Sequence, residues 1–86
     1  MRNSKEEIKN TIINFLKKGN PIIAKLKKIP EDQSLVQLGY IDSFGLIELI
    51  EFIESKFKIK INDREITPEV FGSLKKMSKL VYKKIR

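Results

Sequence analysis

Apolar residues recur at helical spacing in three separate stretches of this 86-residue chain, with glycines and prolines between them. That punctuated 3.6-residue period restricts the fold to short helices sharing one core. Ile8, Ile12, Phe15 and Leu16 fall on one face of the first stretch. It opens on Ser4-Lys5-Glu6-Glu7, which has the form of a capping box, and Gly19-Asn20-Pro21 stops it. Lys17 and Lys18 complement the negative end of its dipole. The second stretch, expected from about Ser43 to Lys56 with Asp42 as N-cap, places Leu46, Leu49, Ile50, Ile53 and Phe57 on its core face. The third, Leu74 to about Ile85 after a Gly72-Ser73 break, turns Leu74, Met77, Val81 and Ile85 inward and Lys75, Lys76, Lys79 and Lys83 to water.

Shorter signals fill the gaps. Thr67-Pro68 predicts the start of a short helix, because proline suits the first helical position. Lys58-Ile59-Lys60-Ile61 alternates for only four residues and reads as extended chain leading into that helix. Residues 19–41 form a long connection. The segment 21–28 has room for a short helical turn, and Ile22, Ile23, Leu26, Ile29, Leu35, Val36 and Leu38 are expected to anchor the connection to the core. The expectation is one all-α domain over residues 1–86: a small bundle of three main helices plus one short one, with mostly local contacts.

A chain of this size buries only about 60–65% of its unfolded surface, so its core must be efficient. There is no cysteine, hence no disulfide framework and no thiolate metal site. The absence of histidine removes the commonest general base and metal ligand. No catalytic residue and no metal site are expected. The polar start, MRNSKEEIKN, has no signal-like apolar segment, and no apolar run is long enough to span a bilayer. These features predict a cytoplasmic chain without stable membrane insertion. No sustained heptad pattern supports a coiled coil, so a monomer is expected.

The net charge of +7 is spread unevenly. Residues 42–57 carry four acidic side chains and one basic, whereas residues 58–86 carry nine basic and three acidic. The acidic island coincides with an Asp42-Ser43 pair at the start of the second helical stretch. On a helical wheel Phe44 and Ile47 lie away from the core stripe, with Glu48 and Glu51 on the same outer side. An apolar pair rimmed by carboxylates has the makings of a recognition patch. Cover by the long connection is the competing reading, as is a merely solvated face for Glu48, Glu51 and Glu54. Ser43 itself stands where a helix start favours a bound anion. No histidine is present to activate it as a nucleophile.

The segment Leu38-Gly39-Tyr40-Ile41-Asp42-Ser43-Phe44 resembles the attachment motif of acyl and peptidyl carrier proteins, usually written as Gly, a hydrophobic residue, then Asp-Ser-Leu. The layout of a first helix, an anchored loop, the Asp-Ser helix, a short helix near Thr67-Pro68-Glu69-Val70-Phe71 and a last helix follows the family plan over nearly the whole chain. The resemblance implies an acyl-carrier-like bundle that is not itself an enzyme. It implies that a phosphopantetheinyl transferase attaches 4′-phosphopantetheine to Ser43. The thiol of that arm would carry an acyl or aminoacyl group as a thioester, loaded by an adenylating ligase or synthase and passed to an acyl-accepting enzyme. Fatty-acid, polyketide, nonribosomal peptide and cell-envelope biosynthesis all remain open. Asp42 would help place and recognise Ser43, and Phe44, Ile47, Glu48 and Glu51 would face partners. The chain departs from the family in carrying Phe44 for the usual Leu, Gly45 inside the helix, and a positive net charge where most fatty-acid carriers are strongly acidic. The positive charge argues against a housekeeping fatty-acid carrier, and the Leu-Gly-Tyr-Ile-Asp-Ser-Phe form resembles more closely that of stand-alone aminoacyl, D-alanyl or specialised biosynthetic carriers.

Two other classes stand beside this one. A non-covalent adaptor would use the same outer face without modification. The lysines at 75, 76, 79, 83 and 84 invite a nucleic-acid reading, but no zinc-ligand pattern, stacking aromatics or recognition helix accompanies them. No nucleic-acid partner is expected.

Overall fold

The computed structural model describes residues 4–85, with Met1 to Asn3 of the polar start and Arg86 outside that range, as are the side chains at 68 and 69. Helix α1 spans Lys5–Gly19. Its capping box closes in both directions: Glu7 N–H donates to Ser4 Oγ at 3.1 Å, and Ser4 N–H donates to Glu7 Oε1 at 2.9 Å. Ile8, Ile12 and Leu16 are buried. Phe15, at the edge of the stripe, is half-buried and stacks on Phe52 with ring centroids 4.2 Å apart.

Helix α2, Pro21–Ala24, is a single turn in the part of the connection that had room for one, and it adds a second short helix to the one expected near Thr67. Asn20 Oδ1 caps it by accepting the N–H groups of Ile22 and Ile23 at 2.9 and 3.2 Å. The remaining connection is held by turns. Ile23, Ile29, Leu35 and Ile41 are buried in the core, but Ile22, Val36 and Leu38 are exposed, contrary to the expectation that all the apolar residues anchor. The reason is local winding. Leu38 N–H bonds to Ser34 O at 3.0 Å, and Gly39 N–H to Val36 O at 3.0 Å. A chain wound this tightly presents only one apolar side chain, Leu35, to the interior.

Helix α3, Ser43–Phe57, buries Leu49 and Ile53 completely. Leu46, Ile50 and Phe57 pack at the margin of the core and are half-buried. The helix ends at Lys58, in the left-handed region at φ 56°. Glu54 closes this end: its carbonyl accepts Ile59 N–H at 3.2 Å and its Oε2 accepts Ile61 N–H at 2.8 Å. It is therefore a structural tether and not part of the solvated face suggested by its spacing. Among the described residues no strand pairs with 58–61, in keeping with the extended reading.

A 3₁₀ turn, Asp63–Glu65, was not legible in the sequence. It is stabilised by contacts that appear only when the chain bends: Asn62 N–H to Glu65 Oε1 at 2.9 Å and Lys84 Nζ to the same oxygen at 2.9 Å. These two donors, the backbone N–H first, hold the Glu65 carboxyl below its ordinary pKa. Helix α4, Pro68–Phe71, follows, with Thr67 Oγ1 accepting Val70 N–H at 3.3 Å. Helix α5, Leu74–Ile85, is capped by Ser73, whose Oγ accepts Lys76 N–H at 3.3 Å. Lys75 N–H donates to the Glu31 carbonyl at 3.0 Å, which ties the long connection to the start of α5.

Leu74, Met77 and Val81 are buried as the periodicity requires, while Ile85 is half-buried. Leu80 and Ser78 are buried as well. Ser78 avoids an unsatisfied hydroxyl by donating to the Leu74 carbonyl at 2.8 Å. Helix α1 lies against α2, α3 and α5, its most extensive contact being with α5. The result is the all-α bundle expected. Among the described residues it has three long helices, two single-turn helices and one 3₁₀ turn.

Candidate functional site

The site is assembled by a turn and a cap. Gly39 lies at φ 83°, where a side chain would be strained. Its conformation lets the chain reverse: Tyr40 N–H returns to Leu35 O at 3.0 Å, and the same oxygen receives Ile41 N–H at 3.4 Å. Ile41 is thereby drawn into the core, at 9% exposure, and the next residue is brought out at the start of α3. Asp42 is that residue. Its Oδ1 accepts Gly45 N–H at 2.8 Å, and its carbonyl accepts Leu46 N–H at 2.9 Å.

Asp42 is thus occupied with the backbone, and Ser43 occupies the first helical position with its side chain exposed. Among the described residues no group shares a hydrogen bond with the Ser43 hydroxyl. Helix starts leave N–H groups without intrahelical partners and carry partial positive charge. Asp42 satisfies only that of Gly45 from this first turn, so those of Ser43 and Phe44 remain available to an anion. An unhindered hydroxyl at such a start fits a bulky phosphodiester substituent: nothing packed must move to admit it, and the helix end tolerates its charge.

The outer face is as the wheel suggests. Phe44 is 68% exposed and Ile47 54% exposed, so the long connection does not cover them. Glu48 and Glu51 are also exposed on α3. The structure therefore brings Ser43, Phe44, Ile47, Glu48 and Glu51 onto the open side of one helix, and separates Glu54 from them.

Concavities flank the helix start. A groove of about 330 Å³ runs between the end of α1 and the start of α3, bordered by Phe15, Gly19, Asn20, Tyr40, Phe44 and Glu48. An apolar cavity of about 250 Å³ is lined by residues including Leu35, Ile41, Leu46, Ile66, Phe71 and Met77. Asn20 is the supporting residue that the sequence reading missed. Besides capping α2, its Nδ2 donates to the Tyr40 carbonyl at 2.6 Å, fastening the loop before Ser43 to the end of α1. The signal was there: an Asn directly before a Pro is a helix start as well as a helix stop.

A family model described as the phosphopantetheine attachment site matches residues 8–81. Aminoacyl carrier protein 2 of Bradyrhizobium diazoefficiens is 27% identical over 81 residues, covering 94% of this chain and 90% of that protein.

Proposed function

Since the chain belongs to the phosphopantetheine attachment site family, and is a carrier with covalent 4′-phosphopantetheine as its cofactor, we propose that Ser43 is the attachment residue. The observation that carries this reading is the exposed Ser43 hydroxyl, bonded to no described group, at a helix start whose cap is provided by the neighbouring Asp42. When bound, the arm supplies the thiol that holds cargo as a thioester, in a chain with no cysteine of its own.

The chain's own residues have simpler tasks. Gly39 and Ile41 set the turn, Asp42 fixes the first turn of α3, and Ser43 offers its oxygen. Phe44 and Ile47 give a partner enzyme apolar area, while Glu48 and Glu51 give it charge to read. The transferase is one such partner, and the enzymes that load and unload the cargo are the others. Chemistry is left to those partners, and the carrier itself is no enzyme. Tethering raises the effective concentration of cargo at each partner's site. An aminoacyl cargo is favoured by the name of the Bradyrhizobium relative.

Mass spectrometry tests the assignment. Incubation with coenzyme A and a broad-specificity phosphopantetheinyl transferase is expected to add one phosphopantetheine. Ser43→Ala should abolish the addition while circular dichroism shows unchanged helicity. A mass shift that survives in Ser43→Ala, or none in the unaltered chain across several transferases, overturns it.

A further inference from the structure

Between Glu7 and Glu31 the chain holds no acidic residue, yet Lys9, Lys17, Lys18, Lys25, Lys27 and Lys28 all lie in this interval. Lys9 is accounted for by its pairs with Glu6 and Glu31 at 2.9 and 3.1 Å. The other five are exposed, and among the described residues none has an ionic partner. They sit at one end of the bundle, on the last turn of α1 and the segment just after α2, and Lys17, Lys27 and Lys28 border the same concavity, whose acidic residue, Glu31, pairs with Lys9. Ile22, on the α2 turn between these two groups, is 61% exposed. On the last helix two lysines are instead paired: Lys75 lies 3.7 Å from Asp32, and Lys84 pairs with Glu65.

We propose that this lysine-flanked Ile22 segment is a reversible docking surface for an anionic lipid bilayer. An exposed aliphatic side chain with cations on both sides of it in the chain matches the boundary between headgroups and acyl chains, where apolar area and charge both contribute to binding. The residue type favours lipid over the two other acidic partners. Every cation of the patch is lysine and none is arginine. Lysine is depleted at protein–protein interfaces, and arginine is the usual choice for oriented, bidentate recognition of carboxylates and nucleic-acid phosphates. A flexible point charge suits a diffuse, mobile array of headgroups, and a polybasic cluster of this size is what such surfaces attract. No helix of the described residues is long and apolar enough to cross a membrane, so association at this edge is peripheral. The same end of the bundle includes Asn20, whose bond to Tyr40 links it to the loop before Ser43. Docking there holds the attachment region close to the lipid surface.

The test is co-sedimentation of the full-length chain with neutral phosphatidylcholine vesicles and with vesicles containing about one-third phosphatidylglycerol. Binding is expected to the second only, and to disappear at about 0.5 M salt. Lys27→Glu with Lys28→Glu should weaken it at least about 25-fold, at roughly fivefold or more per lysine. Ile22→Ser should weaken it by a smaller factor. Lys79→Glu with Lys83→Glu on the last helix makes the same change in net charge and should reduce binding no more than about twofold. All substituted positions are exposed, and helicity by circular dichroism verifies that each variant is folded. Two outcomes overturn the proposal: no binding to anionic vesicles, or an equal loss in the two charge-reversal pairs.

Discussion

Helices α1 and α3 are both 15 residues long and both begin at a side-chain N-cap, yet their first turns are built differently. In α1 the cap is reciprocal: Ser4 and Glu7 each satisfy the other's backbone N–H. The exposed residues of that turn, Lys5, Glu6 and Glu7, are all charged. In α3 the residue three positions after Asp42 is Gly45, which has no side chain to return the bond. Its first turn exposes a hydroxyl, at Ser43, and a phenyl ring, at Phe44. A helix start that has only to be stable can use its polar side chains on itself. One that serves as an attachment point must keep a side chain out of the cap, and on the proposed function Ser43 is that side chain.

The largest effect that would break this contrast lies inside α3. Leu49→Ala on its buried face is expected to cost about 2–5 kcal/mol in urea unfolding. Ile47→Ala on the outer face should stay within about 0.5 kcal/mol. Comparable losses would mean that the outer face is structural after all. Next comes the acidic rim. Glu48→Lys with Glu51→Lys should lower the transferase's kcat/KM about tenfold, an effect of ~1.4 kcal/mol, with the deficit shrinking as salt is added. The corresponding reversal of Glu6 and Glu7 on α1 should leave kcat/KM unchanged although it removes a cap. If both pairs act alike, the transferase reads net charge and not α3.

The caps provide a subtler separation. Ser4→Ala and Asp42→Ala should each cost about 1 kcal/mol of stability. Only Asp42→Ala should also slow modification of Ser43, measured as the rate of mass gain. The smallest effect sets the paired carboxylate Glu65 apart from the open rim of α3. Bonds to Asn62 N–H and Lys84 lower its pKa in the folded state, so they stabilise the fold above the unfolded value of about 4.3 and lose that contribution as pH falls through the folded value. Glu65→Gln should therefore be less stable than the unaltered chain at neutral pH, by under about 1 kcal/mol for a half-buried pair at the surface, and the difference should close in acid. Chemical denaturation at several pH values measures it.

Much of this architecture could be read directly from the residues. The three long helices lie within a residue or so of their expected bounds, because their stripes, caps and stop residues all agree. Ser43 at the start of α3 and the outward direction of Phe44 and Ile47 follow from one cap and a 100° wheel. The misreadings share a cause. Ile22, Val36 and Leu38 were expected inside because they are apolar, but the winding of the connection had no inward place for them. Glu54 resembled Glu48 and Glu51 in spacing, but its carboxylate turns to Ile61 N–H, a partner that exists only once the chain folds back past Lys58.

The sequence by itself determined the helices, the Asp42 cap and the lack of any cysteine or histidine for the chain to do chemistry with. These are matters of local period, backbone preference and composition. Tertiary structure alone decided what the non-local contacts decide. Asn20 holds the loop before Ser43 through Tyr40, 20 residues away. Glu31 receives the first turn of α5, Glu54 closes α3, and the lysines around Ile22 are left at one end without acids to answer them. Hydrogen bonds and charges act between neighbours in space, and a period along the chain specifies which way a residue faces but not what it will meet there.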